Sequence, residues 1–506
     1  MLALLSGVLL FLSFPSLGHP AFAWIAILPL LVTTTRATSM LDAFRRGLTT
    51  GVVHFAGTIY WIPRVMEEFG GLPAVVSWGV HLLLVGYLAL FPALFAVGIW
   101  ALHQRLGVVA VLAAPAVWVS SELGRIYLFS GFPWELLGYS QTPVLWVAQL
   151  ASVVGVLGIS ALVASVNGSL AFLVLAGRER ALGVMAATAG LIVVCLLFGG
   201  LRVRSSSLVD TGVPLRVAAV QGNIAQGDKW NPALRDTILD KYLALTIRAA
   251  DEGARLIVWP EAATPFAFQV DSRADLIRRL ARERGVHLLI GTTDVTWGDE
   301  PRYYNAAVLV DPTGETAGVY HKQHLVPFGE YVPMRDLLSF VSPLVENVGG
   351  FSAGEAPVML MMDDHPIGAA VCYEIIYPGL VRQFVTGGSR LLTTITNDAW
   401  YGRTAAPHQH FQQATMRAIE QGRYLVRAAN TGISGVIDPY GRVVARTELF
   451  EDDVLTADVR LIDDLTPYTR YGDLLAFACG IVTLALMVVA GVSPIGRMRM
   501  SGTRGQ

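Results

Sequence analysis

Ile367-Gly-Ala-Ala-Val-Cys-Tyr-Glu-Ile-Ile-Tyr-Pro378 is a short apolar run that ends on a cysteine and passes into a segment closed by proline. The first half suits a buried strand. The proline suits the first turn of a helix, where its missing N–H would have no partner in any case. Cys372 then sits at a strand end, where the N–H groups of the following turn can face a substrate oxygen. A nucleophile is useful there. The bland alternative is a small buried hydrophobe, the usual state of a free cysteine. The rest of the chain decides between the two.

Of 506 residues, 53% are apolar and only 15% charged, and the mean hydropathy is +0.52. Such values belong to a chain partly dissolved in lipid. A net charge of −2 gives no basic surface for nucleic acid. The three cysteines are Cys195, Cys372 and Cys479, and the outer two fall in long apolar segments. Cys372 therefore has no disulfide partner in its own polar domain, and a lone thiol either packs or reacts.

Seven apolar segments precede the polar domain: Leu2 to Leu17, Ala21 to Thr35, Leu48 to Ile62, Ala74 to Leu102, Gly107 to Ser121, Leu145 to Ala176 and Ala181 to Leu201. An eighth runs from Leu474 to Val492. About 20 residues cross a bilayer as a helix. The first segment lacks a basic n-region and is followed closely by the second, so it reads as a retained helix and not as a signal peptide. The expected division is 1–203 as seven membrane helices, 204–470 as an α/β domain, and 471–506 as an eighth helix with a basic tail.

Arginine placement orients the chain. With a cytoplasmic N-terminus, inside loops and tail carry Arg36, Arg45, Arg46, Arg105, Arg178, Arg180, Arg497, Arg499 and Arg504, while short outside loops carry only Arg64 and Arg125. The bias places the polar domain on the outer face. One outside loop, 125–141, is aromatic and rich in Gly and Pro, which suits either a re-entrant or interfacial segment or an ordinary aromatic belt.

The polar domain alternates strands and helices. Strands are expected at Leu215–Gln221, Leu256–Trp259, Leu288–Thr292 and Leu391–Ile395, and helices at Pro232–Ala250, Ala274–Arg284, Gly379–Val385 and His410–Gln421. Hairpins turn at Asp311-Pro-Thr-Gly314 and Asp438-Pro-Tyr-Gly441. Strands too continuously apolar to be half exposed predict a sheet core covered by helices.

Three further stretches end apolar runs on ionisable residues: Leu-Ile-Val-Trp-Pro-Glu261, Val-Tyr-His-Lys322, and Pro-Phe-Gly-Glu330 eight residues later. Singly, Glu261 reads as a helix N-terminal charge, Lys322 as a solvated loop cation and Glu330 as its surface partner. With Cys372 they form a coherent chemical set. A thiol of ordinary pKa, about 8.5, is mostly protonated at neutral pH, and a carboxylate can take its proton as attack begins. Glu261 fits that base. Lys322 and the Tyr373 N–H fit the stabilisation of a tetrahedral oxyanion. Glu330 orients the lysine or relays a proton.

Glu261, Lys322 and Cys372, in that order and at strand ends, resemble the Glu-Lys-Cys triad of the nitrilase superfamily of carbon–nitrogen hydrolases. Seven apolar segments before such a domain and one after resemble the apolipoprotein N-acyltransferase family. The matching runs are Phe-Ser-Gly-Phe-Pro-Trp134, Gln221-Gly-Asn-Ile with Lys229-Trp230, Trp-Pro-Glu261, Tyr-His-Lys322 through Phe-Gly-Glu330-Tyr-Val-Pro333, Cys372-Tyr-Glu374, and Asn397-Asp-Ala-Trp-Tyr-Gly402 with Gln409-His410.

The resemblance implies a multi-pass helical membrane domain joined to an extracytoplasmic, nitrilase-like α-β-β-α sandwich, held in a bacterial cytoplasmic (inner) membrane. It implies acyl transfer from the sn-1 position of a phospholipid, usually phosphatidylethanolamine, through a thioester on Cys372 to the α-amine of a diacylated apolipoprotein. Trp230, Tyr373 and Glu374 would line the acyl and headgroup site, although Tyr373 and Glu374 also read as ordinary helix-start residues. No cofactor is implied, and a monomer is expected.

The apolar surface of 340–351 and the Trp400-Tyr401 loop would close over acyl chains or pack between the two parts. His408 and His410 flank Gln409 as a metal pair would, but no further cluster has ligand spacing, so no metal is expected. His321 and His324 read as hydrogen-bonding residues, and Asn167-Gly-Ser, inside an apolar span, as a chance glycosylation pattern. Two other readings remain: a membrane-anchored amidase with water as acceptor, and a transporter or receptor whose outer domain has lost chemistry. Few intramembrane charges and a complete triad speak against the last.

Overall fold

The computed structural model describes residues 1–327, 329–331 and 350–491. The apolar segments fold as helices at Leu2–Phe11, Met40–Thr58, Ala74–Leu106, Ala114–Tyr127, Ala151–Ala176, Arg178–Ser205 and Leu474–Val489. Among the described residues, three helical stretches are long and apolar enough to cross a membrane: Ala74–Ser130, Ala151–Ala176 and Arg178–Asp210. Small residues let neighbours close up. At Gly51 a Cβ would lie 2.6 Å from Ala89 Cα of the helix Ala74–Leu106, so only glycine permits that approach.

The segment expected as one span over Ala21–Thr35 is broken instead into a short turn, Pro20–Phe22, and two helices, Ala23–Ala26 and Leu28–Thr34. Pro29 has no N–H to continue the ladder. The break is satisfied by Asn167, whose Oδ1 accepts Ile27 N–H at 2.8 Å and Leu28 N–H at 2.9 Å while Nδ2 donates to the Ala23 carbonyl. The residue that looked like a chance glycosylation match thus caps a helix break inside the apolar core. Two other segments are also subdivided: 107–113 forms a 3₁₀ stretch, and the helix Ala151–Ala176 kinks at Gly155, φ +69°.

Among the described residues, the polar domain holds twelve strands in two sheets. β1 (Val213–Gln221), β2 (Leu256–Val258), β3 (His287–Thr296), β4 (Arg302–Val310), β5 (Thr316–His321) and β12 (Asp453–Leu461) form one, in the order β12-β1-β2-β3-β4-β5. β6 (Leu360–Met362), β7 (His365–Val371), β8 (Leu391–Thr396), β9 (Leu425–Ala429), β10 (Gly435–Ile437) and β11 (Val443–Arg446) form the other, in the order β11-β10-β9-β8-β7-β6. β1, β2 and β3 run parallel, as do β7, β8 and β9, with antiparallel strands on both flanks.

Strand alternation sets the layers. On β1, Val217 and Ala219 face the second sheet in a core shared with Ile367, Ala369, Leu391 and Val426. Ala218 and Val220 face the other way, under the helices Arg235–Asp251 and Ala274–Arg284. The helices Pro378–Thr386 and Ala406–Gln421 cover the second sheet. The result is an α-β-β-α sandwich, as the alternation and the resemblance together lead one to expect.

The helix Ala406–Gln421 is buried on nearly every side although it carries Gln409, His410, Arg417, Glu420 and Gln421, because apolar helices of the N-terminal part press on its far face. Glu420 Oε1 accepts Val156 N–H at 2.9 Å, just past the Gly155 kink, and Arg417 donates to the Tyr139 hydroxyl at 2.7 Å. Gln409 spends all its polar capacity across the same junction: Oε1 accepts the indole N–H of Trp134 at 2.8 Å and of Trp61 at 3.3 Å, and Nε2 donates to the Pro15 and Thr58 carbonyls. The apolar stretch 340–349 and the arginines of the C-terminal tail lie outside the described residues.

Candidate active site

Cys372 directly follows β7 and opens a single 3₁₀ turn, Cys372–Ile376. Its φ of +54° is a left-handed conformation that is strained for a residue with a Cβ, so the surroundings must hold it. They do so from both sides. Glu374 Oε2 accepts Val371 N–H at 2.7 Å, and His410 Nε2 donates to the Cys372 carbonyl at 3.2 Å. The sharp turn directs the thiol into a buried centre, where only 6% of the residue is accessible.

Glu261 arrives from β2 through Trp259 and Pro260. Its Oε1 accepts from Asn305 Nδ2 at 2.7 Å and lies 3.5 Å from Lys322 Nζ, and its Oε2 accepts Asn397 N–H at 2.9 Å. Lys322 follows β5, and its Nζ lies 2.9 Å from Glu330. Glu330 Oε1 also accepts from Asn305, so a single amide group bridges both carboxylates. Strand ends of both sheets thus bring Glu261, Lys322, Glu330 and Cys372 to one buried place.

Electrostatics follow from that burial. Burial would raise the Glu261 pKa, yet Lys322, Asn305 and Lys229 outweigh it and hold the carboxyl below its usual range. Burial would likewise discharge Lys322, but Glu330 and Glu261 keep the ammonium protonated. The Cys372 thiol is pushed up, first by burial and then by the Glu261 charge. The resting pair is a neutral thiol beside a carboxylate.

Two models of known families match the chain: carbon-nitrogen hydrolase over residues 216–464, and the apolipoprotein N-acyltransferase N-terminal domain over residues 6–169. A protein of Geobacter metallireducens named apolipoprotein N-acyltransferase is 43% identical over 95% of this chain and 92% of its own length. One of the same name from Methylococcus capsulatus is 37% identical over 94% and 92%. The chain belongs to the apolipoprotein N-acyltransferase family. In addition, an amidase structure from Nesterenkonia sp. aligns at a TM-score of 0.40 and 24% identity over 53% of this chain and 97% of that one.

In this acyltransferase-family chain the residues expected to line the site are distributed unequally. Trp230 is half exposed, on the loop that follows β1. Tyr373 is buried among Phe132, His324 and Tyr377. Glu374 is wholly buried and faces inward: besides Val371 it accepts the Tyr320 hydroxyl at 2.8 Å and the Gln323 and His324 N–H groups. Burial pushes its carboxyl up to about 7 against those donors. His321 bonds Asp294 at 2.6 Å, and His324 packs on Tyr377.

The loop 125–141 takes two environments. Leu128 and Phe129 are exposed, whereas 133–141 is buried beneath the nucleophile turn. Trp134 lies 5.8 Å from the His410 ring and 5.3 Å from Trp61, and Tyr377 donates to the Gly131 carbonyl at 3.0 Å. Aromatic rings of the N-terminal helical part therefore wall the centre.

Several supporting residues carried no separate signal in the sequence. Asp398, His410 and Arg427 form a buried cluster under Cys372. His410 Nδ1 lies 3.1 Å from both Asp398 Oδ1 and Arg427 Nη2, and Arg427 donates to Asp398 Oδ2 at 2.7 Å. Thr396 Oγ1 joins them to the thiol, 2.9 Å from Asp398 Oδ1 and 3.3 Å from Cys372 Sγ. His410, which the sequence offered as half of a metal pair and within a matching run, is one of this cluster. Asn305 was missed altogether, and Lys229 was quoted beside Trp230 without a role.

Proposed function

We propose that Cys372 is the nucleophile of a two-step acyl transfer from a phospholipid to the α-amine of a diacylated apolipoprotein. The observation that carries this reading is the convergence of a thiol, a carboxylate and an ammonium in a buried centre walled by Trp134 and Trp61 from the helical part.

In the first step Sγ attacks the sn-1 ester carbonyl and its proton passes to Glu261. Lys322 Nζ and the Tyr373 N–H stabilise the oxyanion. The ester C–O bond breaks, and Glu261 returns the proton to the departing sn-1 oxygen, which leaves a lysophospholipid and a thioester. In the second step the acceptor amine attacks the thioester, Glu261 takes the amine proton, and the thiol is re-formed as the amide departs. Glu330 positions Lys322 throughout. No cofactor enters either step.

Trp230, half exposed beside the site, serves as the surface on which an acyl chain rests. Tyr373 stands at the same turn as the nucleophile. The inward, fully bonded carboxylate of Glu374 supports a role in holding that turn. The apolar segments support eight crossings of a bacterial inner membrane, the arginine bias supports a polar domain on the outer face, and fusion of that domain to apolar helices supports a monomer. Phosphatidylethanolamine is the donor the family resemblance favours.

Purified protein incubated with labelled phosphatidylethanolamine and a diacylated lipopeptide should yield N-acylated peptide, with a mass increment of one acyl chain on Cys372 when the peptide is left out. Cys372→Ala should carry no increment. Free fatty acid without N-acylated peptide would overturn the transfer in favour of hydrolysis.

A further inference from the structure

Lys229 lies one residue before Trp230 and is 2% exposed, with its Nζ donating to the Glu261 main-chain carbonyl at 2.9 Å. A lysine is almost never buried this deeply without a carboxylate partner. Here the nearest polar atom belongs to the backbone of the proposed base. The loop that carries Lys229 is tied to the same place a second time: Asn397, whose N–H donates to Glu261 Oε2, gives its side-chain amide to Gln226 Oε1 at 2.7 Å. Ala262, next along from Glu261, has a φ of +45°, so the chain that presents the carboxylate turns sharply where Lys229 holds it.

Charge counting gives this ammonium a purpose. Glu261 and Glu330 bring two negative charges into the buried centre and Lys322 brings one positive charge. The neighbouring Asp398 is matched by Arg427. Without Lys229 these three groups would carry a net negative charge, and it would persist in a medium of low polarity as the thiol proton neutralises Glu261 and the charge moves to an oxyanion on the carbonyl bound to Cys372. With Lys229 the charges of these four groups balance, at rest and when the negative charge has moved from Glu261 to the oxyanion.

We propose that Lys229 is a positioning residue of the acyl-transfer centre: its ammonium fixes the Glu261 turn and supplies the second positive charge that lets negative charge develop at Cys372. This rests on the acyl-transfer reading given above. Burial draws the Lys229 ammonium down to about 8 against the pull of Glu261 and Cys372, a value that leaves it mostly charged at neutral pH.

The test compares Lys229→Gln, which keeps a donor and loses the charge, with Lys229→Arg, which keeps both. Single-turnover formation of the Cys372 thioester from phosphatidylethanolamine in detergent is measured against lipid concentration, alongside melting temperature. Lys229→Gln should acylate roughly 10- to 100-fold more slowly at saturating lipid, with half-saturation and melting temperature little changed. Lys229→Arg should recover most of the rate. Wild-type acylation in Lys229→Gln would overturn the inference, and so would equal loss in both variants, because shape alone would then be required. Absence of thioester in the unsubstituted protein would overturn the acyl-transfer reading itself.

Discussion

Glu374 accepts the N–H of Val371, the residue before the nucleophile, at 2.7 Å. Its other oxygen gathers the Tyr320 hydroxyl and the N–H groups of Gln323 and His324, next to Lys322. One carboxylate therefore stitches the Cys372 turn to the loop of the Lys322 ammonium. Glu374→Gln must aim an N–H₂ group at one or the other set of donors. Each donor left unpaired costs about 1–3 kcal/mol, so this variant should melt several degrees lower and acylate Cys372 at least tenfold more slowly. Unchanged values for both in a thermal scan and an acylation assay would contradict the stitch.

A second expectation concerns the thiol. Burial and then the Glu261 charge raise the Cys372 pKa, so the neutral thiol persists through physiological pH. Alkylation by iodoacetamide, which requires thiolate, should rise about tenfold per unit from about pH 7 to about pH 9.5 without a plateau, unlike a free cysteine near 8.5. Glu261→Gln removes the nearby negative charge and should lower the thiol pKa. Alkylation at about pH 8 should then quicken by roughly 3- to 10-fold while phospholipid acylation is lost. A plateau below about pH 8 in the unsubstituted protein would contradict this sign.

The architecture was legible because β-strand alternation and turn chemistry are local. The Asp311–Gly314 and Asp438–Gly441 turns, the helix Ala274–Arg284 and the strand leading to Cys372 all stand where the sequence places them. The broken Ala21–Thr35 segment was not legible, since the group that satisfies its break, Asn167, lies 140 residues away from Ile27. The same limit hid the support of the site. Nothing in the sequence singles out Asn305, whose amide bridges Glu261 and Glu330, and the metal pair of His408 and His410 gives way to Asp398, Arg427 and the Cys372 carbonyl around His410. Lys229 stands in the sequence only as the neighbour of Trp230, because burial is a tertiary property.

The junction between the two parts supplies a third test. Glu420 and Arg417 are both fully buried, 3.1 Å apart, with Val156 N–H on the one and the Tyr139 hydroxyl on the other. Glu420→Ala strands the guanidinium and an N–H group, at a cost of about 3–5 kcal/mol. The double substitution Arg417→Met with Glu420→Leu removes both charges together and should recover much of that loss. Melting temperatures in one detergent should therefore rank the unsubstituted protein highest and Glu420→Ala lowest. Equal melting of the single and double variants would show that the pair is not coupled.

Asn305 offers the sharpest chemical test of the centre. Its Nδ2 donates at 2.7 Å to Glu261 and at 2.7 Å to Glu330, and these two bonds keep the carboxylates turned toward Lys322. Asn305→Ala removes the bridge and leaves the charges in place, which should slow acylation by roughly 10-fold. Asn305→Asp has nearly the same shape but sets a third carboxylate between two others, with no proton to share. It should therefore be the worse of the two, by a further roughly 10-fold near neutral pH. Lowering the pH lets the cluster take up a proton, so a carboxyl at 305 can donate again, and Asn305→Asp should regain activity relative to Asn305→Ala. Acylation rates of both variants across a pH series decide the matter. A constant ratio between them would mean that Asn305 acts by filling space, whereas a ratio that climbs toward acid assigns it the task of separating two negative charges.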